Sequence, residues 1–406
     1  MNRNTGMHAG QVIGWMNGLQ VVGMDIAKSV FQLYTADMKT GELRDKRLKR
    51  DKVLEFFRLI APAMVAMEAC GGAHHWARQL QKLGHHVRLV HAQAVRPFVQ
   101  GNKTDVTDAR AIWLAVQQSG MRFVAVKTEA QQAALTLHRQ RQQLVKMSTM
   151  QLNGLRGLLY EFGVTLPLGR KAMLAQVVSA IDSVAPVLPK VTVDSLLEQV
   201  QRIAQLRQAV DEVEVILKQL IKQDRQMQRA LTIPGVGILS ATAAVATMGD
   251  PHHFKSGREF CAWLGLVPRQ EGTGGKVKLL GISKRGDKYV RTLLVHGARA
   301  VLLRKAQSSD WQTELQKRRH KNVAIVAQAA KIARTIWAVL AKDQDYQANH
   351  KSVRPQQSRA AAQEPSQDAS PTCPPQRPFV AGDARRRGQV SQRLAHKKPD
   401  APSACS

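Results

Sequence analysis

Leu19-Gln20-Val21-Val22-Gly23-Met24 is a short apolar run that stops at Asp25. A second run, 29–34, follows, and then 41–48 with alternating character. Apolar spacing turns helical over 51–60, and a buried-strand pattern, 63–67, stops at Glu68. A helix over 74–83 precedes Gly84 and another strand, 86–90. Strands interleaved with helices predict an α/β layer domain over 19–125. In such a sheet a carboxylate at a strand end projects into the crevice where ligands bind. Asp25 and Glu68 therefore become candidates for chemistry.

Two more acids follow. Asn102-Lys103-Thr104-Asp105-Val106-Thr107-Asp108-Ala109 opens a helix that continues through Leu114. Residues three apart share a helix face, so Asp105 and Asp108 point the same way, roughly 5–6 Å apart at Cβ. Four carboxylates converging from two strands and a helix repel one another unless cations neutralise them. Two Mg²⁺ ions about 3.5–4 Å apart would do so and would clamp both oxygens of an in-line phosphoryl transfer. A plainer reading stands beside this one: Asp25 as a turn residue, and Asp105 with Asp108 as an N-cap and its N3 partner.

Acids are scarce here. Sixty Lys and Arg face thirty Asp and Glu among 406 residues, a formal charge of +30. That excess attracts polyanions, with nucleic acid the commonest and an anionic membrane surface the rival. The longest uncharged run, 230–249, is broken early by Pro234-Gly235-Val236-Gly237, leaving too little to span a bilayer. No sustained apolar h-region marks a secretory signal. Cys70, Cys261, Cys373 and Cys405 lie far apart, with no C-x-x-C pair. The paired histidines (His74-His75, His85-His86, His252-His253) lack zinc-ligand spacing and are expected on the surface. A cytoplasmic protein associated with nucleic acid, without a membrane, is the expectation.

The length suggests more than one core. Residues 1–18 read as a loose leader, and 126–228 as a helical region. Residues 129–162 form a long Gln- and Leu-rich helix, and a second helix starts near Ser195, capped with Glu198. Leu196, Ile203, Val210 and Leu217 fall on one heptad position, and Leu206, Val213 and Leu220 on another. The stripe suits packing inside its own domain or a coiled coil with another subunit. A third, mainly helical domain covers 229–343. Beyond it, 344–406 is rich in Pro, Ser, Gln, Ala and Arg and reads as a disordered basic tail.

Within the third domain, Ile233-Pro234-Gly235-Val236-Gly237 before a helix suits a helix-hairpin-helix turn, where Gly235 and Gly237 let the backbone approach a phosphate. A plain turn before a buried helix fits equally. Glu271-Gly272-Thr273-Gly274-Gly275-Lys276 is followed by Gly281-Ile282-Ser283-Lys284-Arg285-Gly286-Asp287. Lys276, Lys278, Lys284, Arg285, Lys288 and Arg291 form a basic cluster suited to phosphate, or a solvated basic loop. Lys103, beside the acidic helix, is a further candidate for phosphate.

Three strings, Gly23-Met24-Asp25-Ile26-Ala27-Lys28, Met67-Glu68-Ala69-Cys70-Gly71 and Asn102-Lys103-Thr104-Asp105-Val106-Thr107-Asp108-Ala109-Arg110, resemble the DEDD transposases of insertion sequence 110 and its 1111 subgroup. The block from Phe254-Lys255-Ser256 through Arg291-Thr292-Leu293-Leu294 resembles the C-terminal domain of the same family, in the same order. The resemblance implies a RuvC-type, ribonuclease-H-like N-terminal domain with Asp25, Glu68, Asp105 and Asp108 as its four acids. It also implies a C-terminal serine acting as DNA nucleophile. Thr273 stands where that serine is expected, and a hydroxyl of either kind can attack. Thr273 also suits a mere turn residue, and Ser283 is the neighbouring alternative. A structured guide RNA pairing with donor and target DNA, and a homo-oligomer (dimer or tetramer), are implied by the resemblance alone. The competing functions are a structure-selective junction endonuclease and a non-catalytic nucleic-acid-binding protein.

Overall fold

A computed structural model describes residues 19–37, 40–304, 309–348 and 350. The expected leader, 1–18, and the tail from 351 onward lie outside the described residues. The N-terminal layer runs β1 (Val21–Ile26), β2 (Val30–Ala36), β3 (Leu43–Lys49), α1 (Val53–Arg58), β4 (Met64–Glu68), α2 (Ala73–Lys82), β5 (His86–Val90), α3 (Ala92–Val95), α4 (Asp105–Val116) and β6 (Phe123–Val124). Its six-stranded sheet has the order β3-β2-β1-β4-β5-β6. The first three strands form an antiparallel meander, and β1, β4 and β5 are parallel to one another. This mixed sheet fits the RuvC-like expectation.

Strand side chains alternate between faces, and the two faces have different covers. Val22, Met24, Val65 and Met67 are buried with Phe57 of α1 and with Trp76 and Leu80 of α2. Val21, Met64 and Ala66 are buried on the other face with Ala111, Ile112 and Ala115 of α4. His85 corrects the expectation of surface histidines: it is 4% exposed. Its Nδ1 accepts from the Ala63 amide at 3.1 Å, and its Nε2 donates to the Phe57 carbonyl at 2.9 Å. It is a core residue that ties the end of α1 to the start of β4.

The middle region is α5 (Glu129–Tyr160), α6 (Arg170–Val184) and α7 (Lys190–Gln223). Helix α7 begins at Lys190, with Pro189 before it, rather than near Ser195. Pro189 fixes the entry to the helix, and Ser195 lies one turn inside. Leu196, Ile203, Val210 and Leu217 are all buried, the first two among Leu152, Leu155 and Leu159 of α5 and Val177 and Ile181 of α6. This heptad position is therefore used within the chain.

The third region runs α8 (Arg225–Leu231), α9 (Ile238–Met248), α10 (Gly257–Trp263), β7 (Pro268–Thr273), β8 (Lys276–Ile282), α11 (Lys288–Leu303), α12 (Asp310–Arg318) and α13 (Lys321–Ala341). Among the described residues, α13 is the one helix long and apolar enough to cross a membrane. Its Ile325, Ala329, Ile332 and Ile336 are buried in one core with Phe260, Leu294 and Ala298. The packed chain continues past residue 343: buried Arg229 pairs with both Asp343 and Asp345, and Tyr346 packs on the same core. The first residues of the expected tail thus belong to the fold. His138 of α5 joins this region to the helical arm, its ring nitrogens 3.0 Å from Tyr289 Oη and 2.9 Å from Thr242 Oγ1. Burial pushes its pKa down to about 4, so the imidazole is neutral at physiological pH.

Candidate active site

Parallel pairing sets Gly23 opposite Ala66 and Met24 opposite Met67. One step further along both strands, Asp25 lies beside Glu68. Both share the face of Val21 and Ala66, so both look toward α4. Gly23, on the same face, lets α4 come close. A Cβ there would lie 2.7 Å from Trp113 Cβ and would also strike the Ala109 carbonyl. Nothing larger than hydrogen fits under the helix at that point. The sequence alone assigned Gly23 no task. Its signal is a glycine inside a buried strand, which marks close backbone approach.

The first turn of α4 settles what its acids are not. Thr104 is the N-cap: its hydroxyl accepts from the Thr107 amide at 3.2 Å, and Thr107 Oγ1 accepts from the Thr104 amide at 2.9 Å. The capping box is made by two threonines. Asp105 and Asp108 are thus spared the capping role that the sequence left open to them.

Asp25 feels the charge of the other three acids. The Asp25 pKa is raised to about 6, first by burial and then by repulsion from Asp108, Asp105 and Glu68 in that order. The site is short of positive charge, and its donors are all carboxylate oxygens, the type hard divalent cations take. Among the described residues, no three acid, His or Cys side chains are close enough to grip one ion by themselves. A Mg²⁺ ion needs fewer protein ligands than that, because it usually takes one or two carboxylates and completes its shell with water and substrate phosphate oxygens. The residues present therefore fit a divalent metal.

Thr273 ends β7 at the tip of an exposed hairpin, paired with Lys276 across Gly274 and Gly275. Both glycines have positive φ, 57° and 79°, as a tight two-residue turn requires. Every residue of β7 is exposed, so the Thr273 hydroxyl is not packed against the acids of its own chain. Ser283 is different. Its Oγ is buried without a hydrogen-bond partner, and its amide donates to the Val267 carbonyl. Its hydroxyl is thus turned inward in this conformation, whereas that of Thr273 lies on an exposed strand.

The candidate phosphate contacts divide. Lys103, Lys276, Lys278, Lys284, Arg285 and Lys288 are exposed. Arg291 is occupied: its Nη1 donates to the Leu264 and Arg285 carbonyls, both at 2.8 Å. It ties the 283–287 loop to the end of α10. Gly235 is also accounted for by packing. Its φ is +86°, and a Cβ would lie 2.8 Å from Val301 of α11 and 2.9 Å from Ile332 of α13. Its backbone approaches helix α11 rather than a surface ligand. Gly237, the N-cap of α9, has no side-chain cap and nothing around its Cβ position, so the first amides of that helix remain open.

Comparison with known proteins agrees with this geometry. Residues 22–163 match a family model for the DEDD transposases of IS110, described as "Transposase". Residues 227–314 match the model described as "Transposase IS116/IS110/IS902 family". The probable family 20 transposase of Pseudomonas aeruginosa is 43% identical over 333 residues, covering 81% of this chain and 98% of that protein. The transposase for insertion sequence element IS1328 of Yersinia enterocolitica is 39% identical, with 80% and 97% covered. The transposase for insertion sequence element IS1111A of Coxiella burnetii is 39% identical, with 82% and 92% covered. With four acids on the β1, β4 and α4 framework and relatives aligned along most of its length, this chain belongs to the IS110/IS1111 family of DEDD DNA transposases.

Proposed function

We propose that this transposase cuts and rejoins DNA by metal-dependent phosphoryl transfer at Asp25, Glu68, Asp105 and Asp108, with the Thr273 hydroxyl as nucleophile. The observation that carries the reading is the placement of the acids: Asp25 and Glu68 end the adjacent parallel strands β1 and β4, and Asp105 and Asp108 lie in the first turn of α4, the helix that covers the same face. Two Mg²⁺ ions bound there would stabilise the charge that develops on the attacking and leaving oxygens. Asp25 and Glu68 stand near the ends of β1 and β4 in the rigid sheet. Asp105 and Asp108 stand in the first turn of α4, where the helix dipole favours negative charge. The Thr273 oxygen attacks phosphorus as its proton passes to solvent or a neighbouring carboxylate, the strand P–O bond breaks, and the displaced oxygen leaves as a DNA hydroxyl. Attack of a DNA hydroxyl on the protein–DNA ester then rejoins the strand and returns the proton to Thr273. Thr273 sits on an exposed hairpin, so the hydroxyl reaches the acids by hairpin movement or from a second copy. That geometry supports a homo-oligomer. The exposed lysines of β8 and the open start of α9 serve as backbone contacts for donor and target DNA. The basic surface also suits a guide RNA, in a cytoplasmic setting.

Thr273→Ala, Thr273→Ser and Asp25→Ala test the assignment in an excision assay with denaturing gels. Thr273→Ala is expected to be as inactive as Asp25→Ala. Thr273→Ser is expected to retain activity and to form a DNA-linked band that survives denaturation. Excision and a linked band with Thr273→Ala would remove Thr273 from the mechanism.

A further inference from the structure

At the hairpin end of the sheet, on the face opposite α4, lies an open cleft of about 680 Å³. Its volume falls within the roughly 300–1,000 Å³ of ligand pockets. Lys28, Lys49, Arg50, Leu54, His75 and Trp76 are among its lining residues. Arg50 is held in place: its amide donates to the Ser29 carbonyl, and its Nη1 donates to the Lys28 carbonyl at 3.3 Å. Its guanidinium lies over the Trp76 ring, 5.1 Å from the centroid, and over Phe31 at 5.8 Å. Trp76, 5% exposed, keeps an indole N–H with no acceptor in the protein. One carboxylate, Asp51, shares the lining. None of Lys28, Lys49 and Arg50 forms an ion pair among the described residues. The cleft thus combines three uncompensated cations, one of them a preoriented planar fork, with an apolar wall.

Position ties this cleft to the acids. Lys28 follows Asp25 by three residues and lies in the bend that joins β1 to β2. Helix α2, which carries His75 and Trp76, starts shortly after Glu68. A strand passing from the acids around this end of the sheet would reach the cleft next.

We propose that this cleft is a subsite for an unpaired nucleic-acid strand next to the scissile phosphate. A phosphodiester sits on Arg50 with Lys28 and Lys49, and the adjoining sugar rests against Leu54 and the exposed His75. The fit is chemical: guanidinium and ammonium groups take phosphate oxygens, and a positively charged groove follows the backbone of a single strand in a sequence-tolerant way. The proposal rests on the phosphoryl-transfer reading above and specifies where the strand flanking the cut runs.

The test compares the affinity of the full chain, in chelator so that no cutting intervenes, for a blunt duplex and for the same duplex with a short single-stranded extension. Wild type is expected to prefer the extended form about tenfold. Lys28→Gln/Lys49→Gln and, separately, Arg50→Gln are expected to reduce that preference to near unity while leaving blunt-duplex affinity within about twofold. The lysine pair matters because Arg50 also touches two aromatic rings and its loss could loosen the fold. Extensions made of DNA and of RNA distinguish a substrate strand from a guide strand. Unchanged preference in both variants overturns the proposal, and so does an equal loss for blunt and extended duplex. A wild type that binds DNA but never cuts it with metal present would instead overturn the phosphoryl-transfer reading.

Discussion

Replacing Asp25 by Asn should make the metal-free protein more stable while abolishing excision. The Asp25 pKa stands at about 6 against an ordinary value of 3.8, raised by burial and by three neighbouring carboxylates. That difference corresponds to roughly 3 kcal/mol at about 1.36 kcal/mol per pH unit. Partial solvent exposure screens this, and about 1–2 kcal/mol is the realistic expectation. The sign follows from linkage. The folded state binds the Asp25 proton more tightly than the unfolded chain, so ionisation penalises folding. The penalty is complete above about pH 6 and disappears as pH falls below the unfolded value of 3.8. The amide introduced by Asp25→Asn would keep the shape and hydrogen-bonding capacity without the charge. Thermal denaturation in chelator at pH 7.5 should therefore show Asp25→Asn melting a few degrees above wild type. The gap should close as pH is lowered toward 4, and divalent cation should raise the wild type more than the variant. A variant less stable than wild type at pH 7.5, or a gap independent of pH, would refute the argument that the four acids converge unneutralised.

Gly23→Ala should lose excision with all four acids intact, because its Cβ would push α4, and with it Asp105 and Asp108, off the sheet. Overpacking of this kind costs about 1–3 kcal/mol, which denaturant melts would read alongside the excision assay. Truncation after Asp343 should lower the melting temperature relative to truncation after Ala348, since Arg229 would lose Asp345 and the core would lose Tyr346. Equal melting of the two truncations would show that these contacts contribute nothing. DNA affinity should fall steeply with salt, each phosphate contact adding a slope of about −0.9 in log K against log salt. A flat titration would detach the +30 charge from DNA binding.

The sequence by itself determined the strands that end in Asp25 and Glu68, because a buried strand writes itself as an apolar run with a polar stop. The two long helices were equally legible from their apolar spacing, and the basic excess declared a polyanionic partner. The hairpin of β7 and β8, turning at Gly274-Gly275 with positive φ values that only glycine adopts readily, was missed in a domain read as mainly helical. Other assignments depended on what lies across the fold. Thr104 and Thr107 share the cap, so Asp105 and Asp108 are left to the site, and only the formed helix end shows which side chain meets which amide. Gly235 has the local pattern of a phosphate cradle, yet α11 and α13 lie against it. Arg291 read as one more phosphate cation, yet its guanidinium binds carbonyls from two loops. The heptad of α7 could have faced any helix, and α5 and α6 occupy it. In each case the residue type limits the chemistry a side chain can perform. Which chemistry it performs is set by the partner that long-range packing brings within hydrogen-bond or van der Waals reach, and sequence spacing carries no record of that partner.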